Sequence, residues 1–114
     1  MSQNPDAFAP GAMVLVKLGS PREKFWGALL HLSAAGLTVR GLDLTSLDDT
    51  ISMVKTGEFV TPGAVFFPMH RVERMESDAR QGGIASISER FAAQTGLDPH
   101  QLLNAAVPGG ERLP

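Results

Sequence analysis

The sequence predicts an α+β domain that is mainly β: a five-stranded, strongly bent small barrel with an inserted short helix and two C-terminal helices. Three observations predict it. Short runs rich in Val, Leu and Phe recur between turn clusters over residues 12–77. One of them, Lys24 to Ser33, is apolar on both faces and carries Gly27 at its middle. Capping signatures at Ser86 and Asp98 then open two helix-length segments.

The chain has 114 residues, enough for one domain with a core that needs no staple. Hydrophobic residues make up 43%, which argues against global disorder. Cysteine is absent, and thiol catalysis, disulfides and cysteine-ligated zinc go with it. The formal net charge of -2 opposes a protein that works mainly by neutralising phosphates. The N-terminal residues lack a basic and an apolar signal region, and no stretch approaches a membrane span. A cytoplasmic protein with no membrane partner is expected.

The elements follow in order. Residues 1–11, polar and proline-punctuated, are expected to form a flexible arm. Ala12 to Leu18 is the first strand, closed by the turn cluster Gly19-Ser20-Pro21. In the second strand, Phe25, Gly27, Leu29 and His31 alternate with Trp26, Ala28, Leu30 and Leu32, so it needs cover on both sides. His31 is expected to be partly buried at the strand end. Gly27 marks a sharp bend, and Gly41, in the third strand Leu37 to Leu44, marks a second. A short amphipathic helix is expected near 46–56, with Ser46 and Asp49 approximating a capping box and Leu47, Ile51 and Val54 on one face. Ala64 to Phe67 is the fourth strand. Pro68 breaks its ladder and Met69-His70 turns a corner into the fifth strand, Arg71 to Ser77. A polar linker over 78–85 leads to helices within 86–107 that dock on the barrel, and 108–114 reads as a flexible tail.

Candidate chemistry is sparse. The cluster His70-Arg71-x-x-Arg74 places cations at an exposed corner, suited to phosphate or RNA contacts, although Glu73 and Glu76 dilute its charge. His31, His70 and His100 fall on different elements without ligand spacing, so no metal site is expected. Asp48 and Asp49 serve a helix start. No Gly-x-Ser-x-Gly elbow and no Gly-Lys-Ser/Thr phosphate loop occurs. No catalytic residue, no cofactor and no enzyme activity are expected. Trp26, Leu30, Phe66 and Phe67 are the apolar residues expected to dock helices or to form a subunit interface. Phe66 and Phe67 are adjacent, so one should fill the barrel and the other should need cover.

The run Phe25-Trp26-Gly27-Ala28-Leu29-Leu30-His31-Leu32 resembles the first motif of the Sm-like (LSm) small-barrel family: aromatic, any, Gly, any, Leu, two residues, apolar. Val65 to Met75 resembles the second motif, a strand, a tight corner and an apolar strand, over a total match of residues 12–77. His70 falls where the bacterial Sm-like RNA chaperone carries a histidine, so the chain looks like a bacterial, divergent member. The resemblance implies an RNA-binding ring or dimer, with His70, Arg71, Arg74 and Arg40 as contacts to single-stranded RNA. Two stretches depart from the family pattern. Ser33-Ala34-Ala35-Gly36 stands where an Asp and an Asn grip bases, and Pro68-Met69 replaces Arg-Gly in the second corner. The leading expectation is therefore a non-enzymatic, self-associating interaction protein, with RNA binding as the alternative.

Overall fold

The computed structural model describes residues 5–58 and 60–103. Residues 1–4 of the expected arm, the end of the last expected helix and the expected tail 108–114 lie outside the described residues. Five strands, β1 (Met13–Leu18), β2 (Glu23–Ser33), β3 (Gly36–Asp43), β4 (Ala64–Pro68) and β5 (Val72–Ser77), form one antiparallel sheet in the order β4-β3-β2-β1-β5. Helix α1 (Leu47–Lys55) is inserted between β3 and β4. Helix α2 (Ile87–Thr95) follows β5, and a further helix, α3, is described over 99–103.

The edge strands β4 and β5 are consecutive in the chain, joined only by the 3-10 turn Met69–Arg71. Strands at opposite edges of a five-stranded sheet can be joined so briefly only if the sheet rolls up. The turn is tied at both ends. Met69 N–H donates to the Ala35 carbonyl of the β2–β3 turn at 2.9 Å, and Gly19 N–H, just past β1, donates to the Arg71 carbonyl at 2.8 Å.

The roll depends on two glycines. Gly27 of β2 and Gly41 of β3 are direct cross-strand partners. A Cβ on Gly27 would stand 2.8 Å from Gly41 Cα, and one on Gly41 would stand 2.6 Å from Gly27 Cα. No side chain fits there, so the two expected bends are a single close crossing of β2 over β3.

The sheet is buried on both faces. Inside the roll, Val14, Val16, Leu18, Phe25, Leu29, Leu37, Val39 and Phe67 form one core. Phe25 and Phe67 meet edge to face, with ring centroids 5.2 Å apart. Outside, Trp26 and Ala28 pack with Leu47 and Ile51 of α1, Phe91 of α2 and Leu103 of α3. Trp26 and Phe91 are 5.6 Å apart between centroids. Strand β2 supplies both cores, which explains its unbroken buried run from Phe25 to Leu29.

Bulges correct the expected strand parity. The β2–β3 register shifts between Leu29 and His31, leaving Leu30 as the extra residue. His31 therefore pairs with Thr38 on the outward face and is exposed, not partly buried. Leu32 pairs with Leu37 on the inward face but sits at the barrel mouth, 44% exposed. A second shift skips Glu73, so that Val72 and Met75 both reach the inner core. Pro68 closes β4 opposite Gly36, at the end of an edge strand where a missing N–H costs least.

The α1 capping box is also corrected. Ser46 makes no side-chain cap bond, because its φ of -97° and ψ of 0° continue from the 3-10 turn Leu44–Ser46 directly into the helix. Asp43 caps that turn instead, accepting from Thr45 N–H at 2.8 Å. The α2 box at Ser86 and Glu89 is complete, and Gly96 ends the helix at a φ of 79°. Residues 5–8 form a 3-10 turn, and Gly11 N–H donates to the Leu29 carbonyl at 2.6 Å, so the arm is tied to β2 before the first strand begins.

Candidate functional site

The corner between β4 and β5 positions His70 and Arg71 in opposite ways. His70 lies on the 3-10 turn and is exposed. Arg71 turns back over the β1–β2 turn. Its Nε donates to the Gly19 carbonyl at 3.1 Å and its Nη2 to the Pro21 carbonyl at 2.8 Å. The same Nη2 lies 3.2 Å from Glu23 Oε1. A guanidinium spent on three partners in one turn, with its side chain only 20% exposed, is a staple and not a free cation. The guanidinium expected to contact RNA is thus already engaged within the chain.

The other expected contacts do not join His70. Arg74, on β5, is exposed and ion-paired with Glu76. Arg40, on β3, shares a cross-strand row with Met13, Ala28 and Ala64. Arg74 shares its row with Lys17 and Lys24. Between these two rows lies the one holding Leu15, Trp26 and Leu42, which the helices cover. Met13 and Ala28 of the Arg40 row belong to the same outer core, so helix-covered residues separate Arg40 from Arg74.

The four apolar candidates also divide. Trp26 is 1% exposed and lies beneath α2. Leu30 is half-buried at its bulge and belongs to neither core. Of the adjacent pair, Phe67 is the one that fills the barrel: it pairs with Leu37 and packs on Phe25 inside the roll. Phe66 pairs with Thr38, faces outward beyond the reach of the helices, and is 53% exposed. Val65 and Met69 are further large apolar side chains exposed on β4 or at its corner end, and Leu32 is exposed near the end of β2. Met69 and Leu32 carry no sequence signal of their own, because their exposure comes from the rolled edge and from the β2 bulge.

The α2 N-terminus is filled from within. Asp78 accepts from Ile87 N–H at 2.9 Å, from Ser88 N–H at 2.8 Å and from the Ser88 hydroxyl at 2.6 Å. It also accepts from the Trp26 indole N–H at 2.9 Å. Ser86 Oγ accepts from Glu89 N–H at 3.0 Å, and Glu89 accepts from Ser86 N–H at 2.9 Å. Every N–H of the first turn therefore has a side-chain acceptor, and the positive end of the helix already holds a carboxylate. That backbone bond from Ser86 holds the Glu89 carboxyl below the usual glutamate range, with Arg80 assisting.

Among the described residues no group of three His, Asp or Glu side chains is placed to hold a metal ion. No described helix is long and apolar enough to cross a membrane. Compared with known protein families, with curated proteins and with solved structures, the chain matches none.

Proposed function

We propose that the protein is a non-enzymatic interaction module that self-associates through the open edge of β4. One observation carries this reading: Phe66, 53% exposed, on an edge strand whose exposed residues Ala64, Val65 and Phe66 are uncharged. An unpaired edge offers a row of free N–H and C=O groups, and proteins usually guard such edges with charge. The opposite edge, β5, carries Glu73, Arg74 and Glu76 and is guarded in that way. The β4 edge is not, and an apolar edge of this kind fits a second copy of the chain.

The likeness of residues 25–32 and 65–75 to the Sm motifs supports the same reading, as do the rolled sheet and the short corner. We take the chain as a divergent, bacterial Sm-like protein of the cytoplasm. The RNA alternative retains His70 as its exposed corner contact, since Arg71 is engaged and helix-covered residues separate Arg40 from Arg74.

Size-exclusion chromatography with light scattering tests the proposal. The wild type should elute as a defined oligomer with a concentration-dependent thermal midpoint, and Phe66→Glu should give a folded monomer whose midpoint no longer depends on concentration. A wild-type monomer at high concentration would overturn it. Binding of uridine- or adenine-rich RNA that His70→Ala abolishes would instead establish the alternative.

A further inference from the structure

Three cations stand in one row on the outward face of the sheet. Lys17 of β1 is the direct cross-strand partner of Lys24 on β2 and of Arg74 on β5. Val16 and Leu18 point into the inner core, so Lys17, between them, points out. Like charges placed directly opposite one another in a sheet repel and destabilise it. Of the three, Arg74 alone has a counter-charge among the described residues, Glu76. Neither the Lys17 nor the Lys24 side chain has a hydrogen-bond or ion-pair partner among the described residues. This excess of positive charge sits in a chain whose formal net charge is -2.

The row borders a groove of about 270 Å³ lined by Leu15, Leu44 and Ile87 together with the three cations and Glu76. The groove lies where the sheet, the α1 approach and the start of α2 meet. Its lining is part apolar and part cationic.

We propose that this groove binds a small organic phosphate. The phosphoryl oxygens would be held by Lys17, Lys24 and Arg74, and an apolar body would lie on Leu15, Leu44 and Ile87. A phosphoryl group offers several charged acceptors at once, which suits cations set side by side on three adjacent strands. Size favours one small molecule over a polymer. At about 270 Å³ the groove falls just below the roughly 300–1,000 Å³ usual for ligand sites. A nucleic-acid strand needs a basic track, and the adjoining row holds Glu76, Leu15 and Trp26 beneath helices. The proposal does not depend on self-association, because Phe66 lies on the opposite edge strand.

The test uses the full chain and 1-naphthyl phosphate as the ligand, followed by amide NMR shifts and calorimetry. Inorganic phosphate, 1-naphthol and a short oligouridylate serve as comparisons. Saturable binding should perturb the amides of residues 15–17, 24, 44 and 74 and exceed that of inorganic phosphate or naphthol by about tenfold or more. The double substitution Lys17→Gln with Lys24→Gln should weaken it by about tenfold or more, with the thermal midpoint unchanged or raised because the repulsion is gone. Lys17→Arg with Lys24→Arg should retain binding. No saturable binding, or binding untouched by the glutamine pair, overturns the proposal. Tighter binding of the oligouridylate through the same lysines overturns it too, since the phosphate source would then be RNA.

Discussion

At the scale of single residues, Asp78 joins three parts of the molecule. It follows β5, caps α2 and accepts the indole N–H of Trp26 at 2.9 Å. Removing it leaves the Trp26 indole N–H and two backbone donors of α2 without acceptors in a half-buried setting. An unmade bond of this kind costs about 1–3 kcal/mol and a lost cap about 1 kcal/mol, so Asp78→Ala should destabilise by about 2–4 kcal/mol. Asp78→Asn keeps one acceptor oxygen and should cost less than the alanine. Trp26 is the only tryptophan, so its fluorescence reads the change directly. The alanine variant should show a lower urea midpoint and a red-shifted native emission. An unchanged midpoint would mean that water replaces the carboxylate without loss.

At the scale of elements, the Gly27–Gly41 pair sets the curvature of the sheet. Gly27→Ala or Gly41→Ala drives a methyl group into the backbone of the opposite strand, and overpacking of that kind costs about 1–3 kcal/mol or more. Circular dichroism melts should place both variants well below the wild type, whereas Gly63→Ala, with nothing within 4 Å of its added carbon, should melt as the wild type does. The bend at Gly27 was legible because a mid-strand glycine in a run apolar on both faces has few other uses. The Ser86 capping box and the helical insertion were legible for a similar reason: their signals are local. The bulges at Leu30 and Glu73 were not, since a bulge is a mismatch between two strands and neither strand records it alone. The same limit hid the candidate sites. Lys17, Lys24 and Arg74 form no motif along the chain and become neighbours only through pairing. The sequence shows Arg71 as an exposed cation because two of its three acceptors, at Gly19 and Pro21, are backbone carbonyls about which residue type says nothing, and the third, Glu23, lies 48 positions away.

At the scale of the whole molecule, one sheet separates two cores, and this governs how the protein unfolds. Phe25 and Leu29 face the inside of the roll, while Trp26 and Ala28 face the helices. The two sets alternate along the same backbone, so β2 cannot remain ordered for one core and not for the other. The inner core is a small rolled sheet, and the helical layer supplies the cover that its outer face lacks. The helices are short and would not persist without that face. The cores should therefore melt together in one transition. Phe91→Ala tests this from the helical side. It removes a ring that is 1% exposed and packed on Trp26, far from Phe25 and Phe67. A buried Phe→Ala change costs about 3–5 kcal/mol. If the cores are coupled, far-UV circular dichroism of the sheet and Trp26 fluorescence should lose the same amount of midpoint and stay superimposed. If the barrel stands alone, fluorescence should shift while the sheet signal holds its wild-type midpoint. Coincident curves are expected, because the strand that carries Trp26 has Phe25 and Leu29 on its other face.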